Sequence, residues 1–141
     1  MMSLQQGLVD IAPDVESQWW WDAVAEHRLV VPQCLACSRQ FFPPQPTCPA
    51  CGGSGFAETP VSGRGTIYSW VVVNRALHPV YAEDVPYTIV AVRLEGGVTM
   101  LGRLTPESTP EADAEVEAFF YEVQGRTLVG FRPCRTISEA P

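Results

Sequence analysis

Four of the five cysteines fall in two CxxC pairs, Cys34-Leu-Ala-Cys37 and, after ten intervening residues, Cys48-Pro-Ala-Cys51. In each pair the backbone turns tightly enough to aim both sulfurs at one point, and two such turns facing across a hairpin supply four thiolates to a tetrahedral metal. Zinc is favoured over iron, because a closed, redox-inert thiolate site is the commoner use; two disulfides or free core thiols are the alternative. With protein in all four positions no place remains for water or substrate, so the metal is expected to be structural. Gly52, directly after Cys51, is expected to permit a close backbone approach at the second turn. The surrounding segment is broken by Pro43, Pro44, Pro46, Pro49 and Gly53 and has little core of its own. A structural zinc can supply on the order of 10 kcal/mol or more to such a fold.

Groups that could perform catalysis are few. The nine basic residues are all arginine, so a Schiff-base lysine and a Walker-type phosphate lysine are excluded from this chain. His27 near a helix end and His78 in a loop lie beside no nucleophile motif, and each reads more simply as a surface or capping residue. Cys134 has no helix N-terminus or base beside it in sequence and reads as a buried thiol. Gly63-Arg64-Gly65 enters a strand with no helix after it, which suits a barrel bend and not a phosphate loop. No activity of the chain alone is expected.

The 141 residues leave room for one ordinary domain with a small appendage. Sixteen acidic against nine basic side chains give a net charge of -7, opposite in sign to what a phosphate backbone attracts. No run approaches the roughly 18 apolar residues of a membrane span, and the N-terminus lacks a basic stretch followed by an apolar one; a cytoplasmic protein with no membrane partner is expected.

Three parts are expected to position the cysteines and their surroundings: residues 1–29, an N-terminal segment with a Trp-rich helix; residues 30–57, the metal ribbon; and residues 58–141, a barrel with a C-terminal tail. Helix-compatible composition runs from Asp14 to Leu29, predicting about 13 to 15 helical residues. Five strand-like runs follow, GTIYSWVVVNRA, PYTIVAVRLE, GVTMLGRL, VEAFFYEV and GRTLVGFRPCRTI. Tight hairpins are signalled at Gly96-Gly97 and Gln124-Gly125, with a long first loop and an acidic insertion over 107–117. The fold class is therefore mainly β, an N-terminal helix and a zinc ribbon followed by a five-stranded OB-fold barrel, with an SH3-like barrel as the other option.

Aromatic residues exceed what so small a core needs. Trp19, Trp20 and Trp21 span roughly 200° of a helix, wider than a one-sided stripe, so at least one indole is expected outside the intramolecular contact. Phe41 and Phe42 point to opposite sides of an extended segment, unless a bend at Pro43 lets both pack internally. Simple alternation on the first barrel strand puts Ile67, Ser69, Val71 and Val73 on one face and Tyr68, Trp70 and Val72 on the other, leaving both faces largely apolar.

Taken in order, the tryptophan helix, LVVPQC, the CxxC with FFPP, CPAC, VSGRGTIYSWVVVNR, HPVY, VPYTIVAVRLEGG, LGRL and GFRPC resemble a bacterial and archaeal family that joins a rubredoxin-like zinc ribbon to an OB-fold and is associated with acyl-CoA metabolism. The resemblance covers residues 18–134. It implies a non-catalytic companion of a thiolase-type or thiolase-like aldolase protein, or of a hydratase-like one, that helps frame the path of an acyl-CoA thioester. Under that implication the partner or acyl-CoA contacts are Trp19, Trp20, Trp21, Phe41, Phe42, Tyr68, Trp70, His78 and Tyr81. The competing class is a nucleic-acid-binding module, since zinc ribbons and OB-folds also serve there. Four arginines against three acids between Gly63 and Leu104 make a poor basic groove.

Overall fold

The computed structural model of the protein describes residues 4–134, which form one α-helix, α1 (Gln18–Ala25), and seven strands. β1 (Val30–Cys34) and β2 (Phe56–Pro60) make a two-stranded antiparallel ribbon, so the ribbon sheet runs to Pro60, past residue 57. β3 (Arg64–Val73), β4 (Tyr87–Leu94), β5 (Thr99–Leu104), β6 (Glu115–Val123) and β7 (Arg126–Pro133) close a barrel in the order β3-β4-β5-β7-β6. This is the expected OB-like barrel, with the hairpins at Gly96-Gly97 and Gln124-Gly125, all four residues having positive φ. The 107–117 insertion returns to the barrel wall where the Asp113 amide donates to the Ile67 carbonyl. Among the described residues no helix is long and apolar enough to cross a membrane.

The helix is 8 residues, shorter than its composition suggests. At its start Asp14 and Ser17 compete for the backbone: the Ser17 amide donates to Asp14 Oδ1 at 2.8 Å and the Asp14 amide to Ser17 Oγ at 3.2 Å. Hydrogen bonding by the Ser17 hydroxyl, and then by the Ser17 amide, holds the Asp14 carboxyl below its ordinary pKa. At its end His27 adopts φ 60°, its amide donating to Val24 and that of Arg28 to Ala23, a Schellman closure that consumes the last turn.

The core is continuous from helix to barrel. Ala23 and Val24 of α1, Val30 and Val31 of β1, and Ile67, Val90, Val92, Val116 and Phe131 of the barrel are buried together. The three indoles all join it. Trp20 is 8% exposed, its Nε1 donating to the Val30 carbonyl at 3.0 Å, and its ring lies 5.3 Å from Phe42. Trp19 packs against Phe56 of the ribbon at 5.2 Å, and Trp21 lies edge-on to Trp20 beneath the Arg126 guanidinium. Ribbon and barrel thus each take part of the wide aromatic arc, Trp19 and Trp21 staying partly exposed.

β3 departs from simple alternation. The register with β4 shifts between Ile67 and Ser69, leaving Tyr68 as a bulge. Ile67 pairs with Val92, whereas Trp70 pairs with Val90 and Val72 with Thr88, so Trp70 and Val72 follow the inward side. Ser69, Val71 and Val73 face outward, the reverse of the unbulged expectation.

Candidate metal centre and the surfaces around it

The two knuckles repeat one another bond for bond. The Cys34 amide donates to the Arg39 carbonyl and the Ser38 amide to the Cys34 carbonyl; the Cys48 amide donates to Gly53 and the Gly52 amide to Cys48. The same backbone loop therefore presents both pairs. The four Sγ atoms lie within 4.8 Å of one another, with Cys34 to Cys51 at 3.5 Å and Cys37 to Cys48 at 3.7 Å. Four thiolates at the usual zinc–sulfur bond length of about 2.3 Å stand about 3.8 Å apart, so the cluster fits a tetrahedral ion. Cys34 and Cys48 are buried with Phe41, which fills the ribbon's small apolar cluster.

Backbone amides are aimed at the sulfurs. Ala50 donates to Cys48 Sγ and Gly53 to Cys51 Sγ, both at 3.4 Å. Hydrogen bonding by the Cys37 amide is the main cause that draws the Cys34 thiol down to about 7, and the Cys51 amide leads in lowering Cys48. Cys51 goes the other way: its Gly53 bond lowers it, but the sulfurs of Cys34, Cys37 and Cys48 together push it up to about 11. Thiolates crowded this closely need a cation among them. The close approach expected at Gly52 occurs at Gly53, where a Cβ would sit 3.3 Å from Cys34 Sγ; Gly52 serves the loop through its φ of 78°.

The remaining sequence candidates scatter. Trp20 and Phe41 are buried among their neighbours, with 8% and 7% of their surface exposed, and Trp20 also lines a cleft. Trp19, Trp21 and Phe42 are partly buried against the same core. His78 caps the 3-10 turn Pro79–Tyr81, its Nδ1 accepting from Val80, and His27 stacks on Phe120 at 4.9 Å. Neither has a nucleophile beside it. Tyr68 and Trp70 are exposed, at 61% and 39%, together with Val71, Val72 and Leu101. β3 pairs with β6 only from Arg64 to Thr66, so this apolar half of the strand runs on past the closed part of the barrel.

Two features escaped sequence reasoning. Arg103 is buried: it meets Asp84 at 3.4 Å, donates to the Leu4 carbonyl at 3.1 Å and lies 3.6 Å over the Tyr87 ring. Its partners come from the N-terminal segment and the long first loop, and no local motif signals such a meeting. The second is a cleft of about 410 Å³ between helix, ribbon and barrel, lined by Trp20, Trp21, Phe42, Ile89 and Leu101 among others.

Comparison with known proteins agrees with this anatomy. The family model of the ChsH2 rubredoxin-like zinc ribbon domain matches residues 21–57, and that of the ChsH2 C-terminal OB-fold domain matches residues 58–120. A DUF35 domain-containing scaffold protein of Pyrococcus furiosus is 33% identical over 124 residues, covering 82% of this chain and 89% of its own length. A probable enoyl-CoA hydratase alpha subunit of Thermomonospora curvata is 32% identical over 89 residues, 63% of this chain; the matched region is 27% of that longer protein. The Ltp2-ChsH2(DUF35) aldolase structure superposes with a TM-score of 0.78 at 29% identity, over 88% of this chain and 98% of the matched one. With two zinc-ribbon knuckles packed on an OB-like barrel and near full-length likeness to the scaffold protein, the chain belongs to the DUF35 family, whose domains are of the ChsH2 zinc-ribbon and OB-fold type.

Proposed function

We propose that the protein is a non-catalytic accessory subunit of acyl-CoA metabolism, built on a structural zinc, that docks onto a thiolase-type or thiolase-like aldolase partner and helps bind or channel an acyl-CoA thioester. The observation that carries this reading is the outer half of β3. Tyr68, Trp70, Val71 and Val72 are all exposed where β3 runs past the closed part of the barrel, Trp70 and Val72 on its inward side and Val71 on its outward side. An apolar strand end exposed on both faces, on a small acidic domain, is suited to a protein interface. Relatives are described as a hydratase subunit, a scaffold and an aldolase, which supports a partner holding the chemistry.

The zinc assignment rests on the all-thiolate donor set, which suits a soft ion in a closed tetrahedral site. With four thiolates filling a tetrahedral ion's positions, the metal's task is to hold the two turns of the ribbon together.

A nucleic-acid role finds less support in the arginines. Arg28, Arg103 and Arg132 pair with carboxylates, Arg93 lies over Tyr68, and Arg126 donates to the Ile11 carbonyl. Engaged guanidinium groups do not assemble a phosphate track.

Co-expression with a thiolase-like protein from the same genome, followed by sedimentation analysis, tests the reading. A stable complex with thioester turnover that the isolated chain lacks is expected. Robust turnover by the isolated chain, or no complex with any such partner, overturns it.

A further inference from the structure

The cleft of about 410 Å³ lies where the barrel wall opens. β5 and β7 run parallel and pair only through Arg103 with Gly130 and Leu104 with Phe131. Beside that short contact, Leu101 of β5 and Leu128 and Val129 of β7 line the cleft, and Trp20, Trp21 and Phe42 close it from the helix and ribbon. Protein interiors keep few voids larger than a water molecule, whereas small-molecule sites are typically about 300–1,000 Å³ and mostly apolar. The walls are stiff, because Trp20 is clasped by Trp21 and Phe42 and held by its bond to Val30.

One wall is of a different kind. Residues 4–11 form a strap without secondary structure, and Gln5 and Leu8 of this strap line the cleft. It is pinned by isolated bonds: Arg103 to the Leu4 carbonyl, the Gln6 amide to Asp84 at 2.8 Å, the Tyr121 hydroxyl to Gln5, the Val9 amide to the Tyr81 hydroxyl at 3.4 Å, and Arg126 to the Ile11 carbonyl. Gly7 is the point of closest approach, where any Cβ would run into Val80 Cγ2.

The polar end of the cleft is already neutralised. The guanidinium of Arg103 is matched by Asp84, whose side chain is 1% exposed, and its face is covered by Tyr87. No net charge is left to hold a carboxylate or phosphate there.

We propose that this cleft binds a short uncharged apolar chain, and that the N-terminal strap clamps it in place. The inference deepens the accessory reading by giving the apolar part of a thioester a seat on this chain. It rests on that reading only for the source of the chain, and it is tested on the isolated protein with no partner present.

The probe is 1-decanol, titrated into the metal-loaded full chain and followed by the intrinsic tryptophan fluorescence, to which Trp20 and Trp21 in the cleft wall contribute. Saturable binding is expected, strengthening about fourfold per methylene from 1-hexanol upward. Decanoate should bind no better than the alcohol. Leu101→Glu, at a largely exposed strand position, and Ile89→Trp, which fills the cleft, should each weaken binding at least tenfold with the melting transition retained. Gly7→Val should dislodge the strap and speed dissociation. Absence of saturable binding in both the wild type and Gly7→Val overturns the proposal. So does undiminished binding by folded Leu101→Glu, whatever the fate of Ile89→Trp; a tighter decanoate would overturn the assignment to an uncharged ligand.

Discussion

Ser38 and Gly52 occupy equivalent places in the two knuckles: each donates its amide to the carbonyl of the first cysteine, at 2.9 and 2.8 Å, and each has a left-handed backbone, with φ of 66° and 78°. Only one of them is a glycine. A serine in this conformation carries a Cβ penalty of about 1–2 kcal/mol, partly offset by the smaller entropy it loses on folding. Ser38→Gly should therefore stabilise the metal-loaded protein by about 0.5–1 kcal/mol. A rise of a few degrees in the thermal midpoint is the expected reading, and an unchanged or lower midpoint would contradict it.

Metal content follows from the same loops. One zinc per chain is expected in protein purified without chelator, and Cys48→Ser should lose it together with the ribbon fold, because Cys48 is buried in the ribbon's small cluster. Elemental analysis paired with far-ultraviolet circular dichroism checks both. A Cys48→Ser protein that keeps metal and fold would show the four-thiolate assignment to be wrong.

Alkaline stability should depend on Tyr121. Burial is the chief cause that pushes its phenol up to about 12 from an ordinary 10, against the nearby Arg103 charge, which lowers it. The folded state then holds a proton that the unfolded chain releases, so the stabilisation is complete below pH 10 and is lost as pH rises from about 10 to 12. The change is on the order of 2 kcal/mol. The chain has no lysine to titrate in this window. Urea unfolding between pH 9 and 12 should show Tyr121→Phe losing less stability than the wild type across that range.

The cysteine spacing made the metal centre legible because both ligands of each pair sit within one turn. The barrel was legible because glycine-bearing hairpins and β-rich runs are local signals as well. What could not be read needed contacts between distant segments. Trp20 and Phe42 meet at 5.3 Å only after the ribbon folds back over the helix, so a helix considered alone showed too many indoles. The Tyr68 bulge is set by pairing with β4 and by the Asp113 contact at Ile67, and it exchanges the faces of every residue after it. Arg103 and Asp84 are joined across the long first loop, with nothing in the sequence around either to announce a buried pair.

Trp20 and Trp70 separate folding from docking. Trp20 fills the core and donates its indole N–H to Val30, so Trp20→Ala leaves a cavity and an unmatched carbonyl; a loss of about 3–5 kcal/mol of stability is expected. Trp70 is 39% exposed on the projecting half of β3 beside Val71 and Val72, so less of its ring is buried than that of Trp20. Its replacement by alanine should cost clearly less stability than Trp20→Ala. If this strip is the docking surface, however, losing a central aromatic should weaken a complex with the thiolase-type partner by about 2 kcal/mol or more, roughly thirtyfold. Val71→Ala should do less and Leu77→Ala, on a loop beyond the strand, almost nothing. Calorimetry of each variant alone, followed by affinity measurement against the co-expressed partner, gives both numbers for every position. Equal affinities for the wild type and for folded Trp70→Ala and Tyr68→Ala would place the interface elsewhere on the protein.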